Sequence, residues 1–170
     1  GYTSPMTGPC GHRRYFDNAA TSWPKAPALA STMRHWVARV AASPGRGAYR
    51  EVQEATEVME RCRERLSSLI GGTRSDSIVF TLNCTDALTL AIEGMARHAR
   101  RCGRPVHMVT SMLDHNSILR PLHGLESDGV RMTIVPVDQK TGLVDPNAVG
   151  DAIESDTVLV AMHHGSNVSG

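Results

Sequence analysis

Lysine is almost missing from this chain. Of 18 basic residues in 170, only Lys25 and Lys140 are lysines; the other 16 are arginines. The arginine excess reads as genome composition bias, but it leaves only two side-chain positions for chemistry that needs a primary amine. Charge of one sign is missing too. A net charge of +1 gives no electrostatic case for nucleic acid or an anionic membrane as partner. Long apolar runs are absent: the longest, Val158 to Met162, is far too short to span a bilayer. Gly1 to Arg14 contains no apolar stretch of the signal-peptide kind, so a cytoplasmic location is expected. Cys10, Cys62, Cys84 and Cys102 form no C-x-x-C pair, which argues against a zinc framework and a dense disulfide scaffold. Neither G-x-G-x-x-G nor G-x-x-x-x-G-K-[ST] occurs, so dinucleotide and Walker-type nucleotide sites lose support.

What is present is ordinary for a globular protein: 41% hydrophobic and 21% charged residues. Residues 1–14 read as a loose arm and 15–28 as a turn-rich segment. A helix is expected from near Pro24 or Pro27, with Leu29, Met33, Trp36, Val37 and Val40 at helical spacing, ending at Ser43-Pro44-Gly45-Arg46-Gly47. Val52, Ala55, Met59, Cys62, Leu66 and Leu69 then define one apolar helix face, stopped by Gly71-Gly72. On that face Cys62 is expected to be core packing. Beyond it strands and helices alternate: strand Ser77–Thr81, helix Cys84–Arg101, strand Val106–Thr110, helix Ser117–Ser127, strand Met132–Val137, helix Asp145–Glu154 and strand Thr157–Met162. This alternation predicts an α/β fold with a largely parallel sheet covered on both faces.

In such sheets ligands sit beyond the carboxyl ends of the strands. Three places there carry chemistry. Asn83-Cys84-Thr85-Asp86 opens a helix directly after a strand, where free N–H groups and a hydroxyl form a phosphate cup; simple capping by Asn83 or Thr85 explains the same residues. His115 follows the next strand and either stacks on a flat ligand or caps a loop. Asn167 follows the last strand, and its amide can bond a ligand oxygen. His163 and His164 are adjacent, so on an extended strand they face opposite ways and chelate one ion poorly; no metal is expected. The chain stops where site residues accumulate, which reads as a piece of a larger protein.

YFDNAATSWPKAP (15–27), GRGAYREVQEA (45–55), VFTLNCTDALTLAIEG (79–94), DHNSILRP (114–121) and MHHGSNVSG (162–170) occur in this order. Together they resemble the class V aminotransferase family, pyridoxal 5'-phosphate enzymes that include cysteine desulfurases and selenocysteine lyases. The resemblance implies fold type I: a three-layer α/β/α large domain with a seven-stranded, mostly parallel mixed sheet, a smaller domain, and a homodimer with active sites at its interface. Residues 1–28 would be an N-terminal arm at the small domain and active-site rim, and 29–170 an incomplete large cofactor domain. By resemblance, Cys84 and Thr85 match the phosphate-binding turn, His115 the residue stacked on the pyridine ring, and Asn167 the asparagine near the ring hydroxyl. Ala20 matches a substrate-proximal position, and Arg46 an arginine that approaches the partner's site.

The family's Schiff-base lysine, in a Ser-x-His-Lys context, is not matched by Lys25 or Lys140, and its persulfide-forming cysteine is not matched by Cys84. Both are expected downstream, so no catalytic residue is assigned in these 170 residues and the chain alone is expected to be inactive. The implied substrate is an amino acid, L-cysteine for a desulfurase, with a sulfur-acceptor protein as possible partner. Another class V activity (aminotransferase, epimerase, selenocysteine lyase) or a non-catalytic truncated product are the alternatives.

Overall fold

The computed structural model describes residues 15–167, which fall into two compact units dividing between Ile78 and Val79. In the first unit, α1 (Leu29–His35) runs on into a π-helical turn, Trp36–Val40, which ends at Ala41 in the left-handed region (φ 43°). The helix therefore stops before the Ser-Pro-Gly run expected to end it. α2 spans Arg50–Leu69 and packs against that turn, with Val40, Val52 and Ala55 buried. Gly71 follows in the left-handed conformation (φ 71°). The Gly72 N–H donates to the Ser67 carbonyl at 2.7 Å. A Cβ on Gly72 would lie 2.8 Å from the Ser67 hydroxyl, so this close return needs glycine.

Two expectations fail here. The apolar stripe of α2 is buried only at its beginning: Cys62 is exposed and Leu69 is 80% exposed. Helical spacing marks a face able to bury itself but not where a neighbour covers it, and within this unit cover stops after the first turns. Nor does Ser77–Thr81 form a strand. Ser75–Ser77 is a turn of 3-10 helix, Ile78 after it is extended, and residues 78–81 belong to none of the described strands. β-branched and aromatic residues favour extended backbone, but a strand exists only where a neighbour takes its hydrogen bonds. Arg63 Nε donates to the Ile78 carbonyl at 3.2 Å, tying the start of this segment to α2.

The second unit holds the sheet. α3 (Cys84–Arg101), β1 (His107–Ser111), α4 (Asn116–Glu126), β2 (Arg131–Val135), α5 (Pro146–Asp151) and β3 (Thr157–Val160) follow in order. The strands lie as β2-β1-β3, all parallel. α3 covers its expected range, and the other elements lie within a few residues of theirs. β1 is central and buried throughout. Met108 packs with Ile92, Ala96 and Ala99 of α3, Ile118 and Leu122 of α4, and Val106 and Val130. Each large side chain buried there contributes about 1.5–3 kcal/mol.

The connections leave β1 in opposite directions: α4 leads to β2 on one side, and the chain returns past β1 to place β3 on the other. The carboxyl ends of β1 and β3 therefore flank a topological switch point, where α/β sheets bind ligands.

Candidate functional site: a recess at the amino ends of two helices

α3 opens on a capped turn. The Asn83 side chain accepts from the Asp86 N–H at 2.8 Å, and the Thr81 hydroxyl donates to the Asn83 carbonyl at 2.7 Å. Asn83 is thus the cap, and Thr85 is released from that duty. The N–H groups of Cys84 and Thr85 and the Thr85 hydroxyl find no acceptor among the described residues. Unsatisfied donors in the first turn, at the positive end of an 18-residue helix, suit an anion.

α4 opens on His115, which caps it. His115 Nδ1 accepts from the Ser117 N–H at 3.1 Å and lies 2.8 Å from the Ser117 hydroxyl. Acceptance at Nδ1 leaves Nε2 as the protonated nitrogen of the neutral ring. The cap fixes the ring, while the residue stays exposed. Capping and ring stacking, posed by the sequence as alternatives, are therefore compatible.

The two helix openings meet. Thr85, Thr89 and Glu93 of α3 face His115, Ser117 and Arg120 around a recess of about 390 Å³. Cys84 and Asn167 do not line it: Cys84 is exposed at the first position of α3, and Asn167 is exposed beyond β3. Ala20 and Arg46 belong to the other unit, both exposed, Ala20 in a bend and Arg46 in the loop before α2. Lys25 lies in the irregular segment before α1 and Lys140 in a turn. Lys25 Nζ bonds the Thr21 hydroxyl, and the Lys140 N–H donates to Asp138 Oδ1 at 2.7 Å.

One residue at the site escaped the sequence. Asp114, 5% exposed, precedes His115 and receives five hydrogen bonds. Oδ2 accepts from the Thr110 hydroxyl at 2.9 Å, the Ser111 N–H at 2.8 Å and the Ser111 hydroxyl at 2.8 Å. Oδ1 accepts from the His163 N–H at 2.7 Å and from His163 Nδ1 at 2.8 Å. Burial pushes the Asp114 carboxyl up, but the bonds donated by Ser111, His163 and Thr110 outweigh it and hold the group below the usual carboxylate range. The available signal was an acidic residue three and four places after two hydroxyl residues at a strand's end; its His163 partner is distant in sequence.

At the other end of the sheet His107, Glu154 and Asp156 cluster. Their polar atoms already have partners. His107 Nδ1 lies 2.7 Å from the Thr157 hydroxyl and Nε2 2.9 Å from the Thr133 hydroxyl. Arg131 Nη2 bonds Glu154 at 2.6 Å and Asp156 at 2.8 Å. A guanidinium occupies the place a cation would take.

Comparison with known proteins places the chain in a family. The family model described as aminotransferase class-V matches residues 14–170. Human cysteine desulfurase is 32% identical over 159 residues, covering 94% of this chain and 34% of the relative. The cysteine desulfurase IscS of Dictyoglomus turgidum is 36% identical over 118 residues, covering 69% of this chain and 29% of the relative. Among solved structures, SspA in complex with cysteine has a TM-score of 0.77 at 30% identity, covering 91% of this chain and 43% of that one. The apo cysteine desulfurase from Thermococcus onnurineus has a TM-score of 0.76 at 29% identity, covering 90% and 37%. This chain thus spans about a third of the length of the curated relatives it matches. The parallel sheet of the second unit is consistent with the fold-type-I architecture of these neighbours. With the family model matched from Arg14 to the last residue, and with fold and sequence pointing the same way, the chain belongs to the class V aminotransferase family.

Proposed function

We propose that this chain supplies the phosphate- and ring-binding part of a pyridoxal 5'-phosphate site in a cysteine desulfurase-like enzyme. The observation that carries this reading is the shared recess of Thr85 and His115. The residues fit the cofactor. Thr85, with the free N–H groups of the first turn of α3, would hold the phosphate. His115, fixed through Nδ1 by Ser117, would lie against the ring. Asn167, at the exit of β3, would bond the ring hydroxyl, and Cys84 would border the phosphate turn. When bound, the cofactor acts as an electron sink for the amino acid. The chain's own part is to bind and orient: two helix amino ends favour the phosphate charge, and the bond that Nδ1 accepts from Ser117 fixes the plane of the imidazole. Ala20 and Arg46 are proposed as substrate-proximal, the latter toward a partner subunit in a homodimer.

The proposed reaction converts L-cysteine to L-alanine. The substrate's carbon–sulfur bond breaks, the sulfur joins an enzyme thiolate as a persulfide, and a proton takes its place on carbon. In this reading the cofactor-holding lysine and the thiolate belong to the part of the relatives' length that this chain does not span. A sulfur-acceptor protein and a cytoplasmic setting complete the proposal. Separately, no helix among the described residues is long and apolar enough to cross a membrane. The test uses the full-length protein with pyridoxal phosphate. Alanine and sulfide should form in equal amounts from L-cysteine in the presence of a thiol reductant. Cofactor binding with transamination or racemisation instead would move the protein to another class V activity, and no cofactor binding would sink the reading.

A further inference from the structure

Two loops carry the candidate cofactor residues of the sheet: the exit of β1, with His115, and the exit of β3, with Asn167. One buried carboxylate holds both. Asp114 Oδ2 is saturated by its own loop through Thr110 and Ser111. Its Oδ1 is bonded instead by the main chain and ring of His163, 49 residues away. Asp114 is next to His115, and His163 is four residues before Asn167. A side chain that only finished β1 would need the first set of bonds, not the second. The second set is also the one that makes burying the charge tolerable across two loops, since a buried carboxylate with half its partners removed is costly.

We propose that the Asp114–His163 pair is a positioning couple, which fixes the β3 exit loop against the β1 exit loop and so sets where Asn167 meets the cofactor relative to His115. It rests on the pyridoxal phosphate reading above. The carboxylate form is required by geometry. Each oxygen accepts one main-chain N–H, from Ser111 or from His163, and a main-chain donor cannot turn round. An amide at this position would therefore set N–H against N–H whichever way it pointed. Hydroxyl donors alone could have adapted.

His163 is the residue to change, because its main-chain bond survives substitution and the fold is spared. His163→Leu removes the ring donor. His163→Asn restores a donor, since its side-chain nitrogen can occupy the place of Nδ1. In the full-length protein, His163→Leu is expected to raise the pyridoxal phosphate dissociation constant about tenfold and His163→Asn by no more than about twofold. The visible circular dichroism of bound cofactor should change with Leu and return with Asn. The thermal midpoint of the apoprotein should fall by a few degrees with Leu and recover with Asn, both variants staying folded at the temperature of the binding assay. In an Asn167→Ala background the Leu effect on the dissociation constant should vanish, because the couple acts through that residue.

Three results would overturn the proposal. They are wild-type affinity and dichroism in His163→Leu, failure of Asn to rescue, or an unchanged Leu effect after Asn167→Ala. If the wild-type protein binds no pyridoxal phosphate, the cofactor reading falls first and the proposal with it; if it binds and His163→Leu binds equally, only the positioning couple falls.

Discussion

At the scale of single residues, the positions of Thr85 and His115 at helix openings were legible because they are set locally. A hydroxyl in the first turn of a helix and an imidazole one residue before another helix can be placed from sequence once the helices are found. The structure adds that Asn83, not Thr85, is the cap, and that His115 both caps α4 and faces the recess. These two roles of His115 are separable. Asparagine caps helices well but has no ring, so His115→Asn is expected to keep apoprotein stability within about 0.5 kcal/mol while weakening pyridoxal phosphate retention in the full-length protein. Thermal unfolding paired with dialysis of the bound cofactor checks both halves; unchanged retention would remove the stacking role. Thr85→Val is expected to weaken retention and Thr85→Ser to preserve it, because only the hydroxyl is at stake. Asp114 was not legible. Its significance depends on which loop arrives opposite, and His163 reaches it only after β3 has paired beside β1.

At the scale of elements, legibility followed how much of an element's stability is its own. α3 could be read to its end residues, because an Asn cap, a long apolar face and basic residues in the last turn agree. Ser77–Thr81 could not, because a strand is completed by its neighbours; Val79 stays 66% exposed and unladdered among the described residues. α2 lies between these cases, with correct helicity but an apolar stripe covered over only part of its length. Two truncations test this contrast in the 170-residue chain. Leu122, fully buried between α4 and the sheet, is expected to cost about 2–5 kcal/mol as Leu122→Ala. Leu69→Ala, at an exposed position, is expected to cost no more than about 0.5 kcal/mol. Denaturant midpoints followed by far-ultraviolet circular dichroism give both values; a large cost at Leu69 would mean that the stripe is covered after all.

At the scale of the whole molecule, the charge balance that seemed featureless in the sequence has a direction in acid. Asp76, Asp138 and Glu154, all exposed, and the half-buried Asp156 have carboxyl pKa values lowered by hydrogen bonds, from Arg74 for Asp76, from the Thr141 and Lys140 N–H groups for Asp138, and from Arg131 for the other two. Asp114 is lowered as well, against its burial. A carboxyl whose pKa is lower folded than unfolded contributes stability that is present above the unfolded value and disappears as pH falls through the folded one. Stability owed to these groups is therefore expected to be level near neutrality and to decline below about pH 4. Salt separates the contributions: screening weakens the exposed pairs around Arg131 and Arg74, whereas Asp114 is shielded from it. Protonated Asp114 resembles the amide, so Asp114→Asn should act as a permanent acid form. Its destabilisation is expected to be about 2–3 kcal/mol at pH 7, to persist at high salt, and to begin shrinking as pH falls below about 4, disappearing only below the lowered folded-state value. Urea unfolding of the two proteins at several pH values, at low and high salt, measures this directly. A gap between them that stays constant down to pH 3 would show that the carboxylate charge at Asp114 is not what holds the two loop ends together.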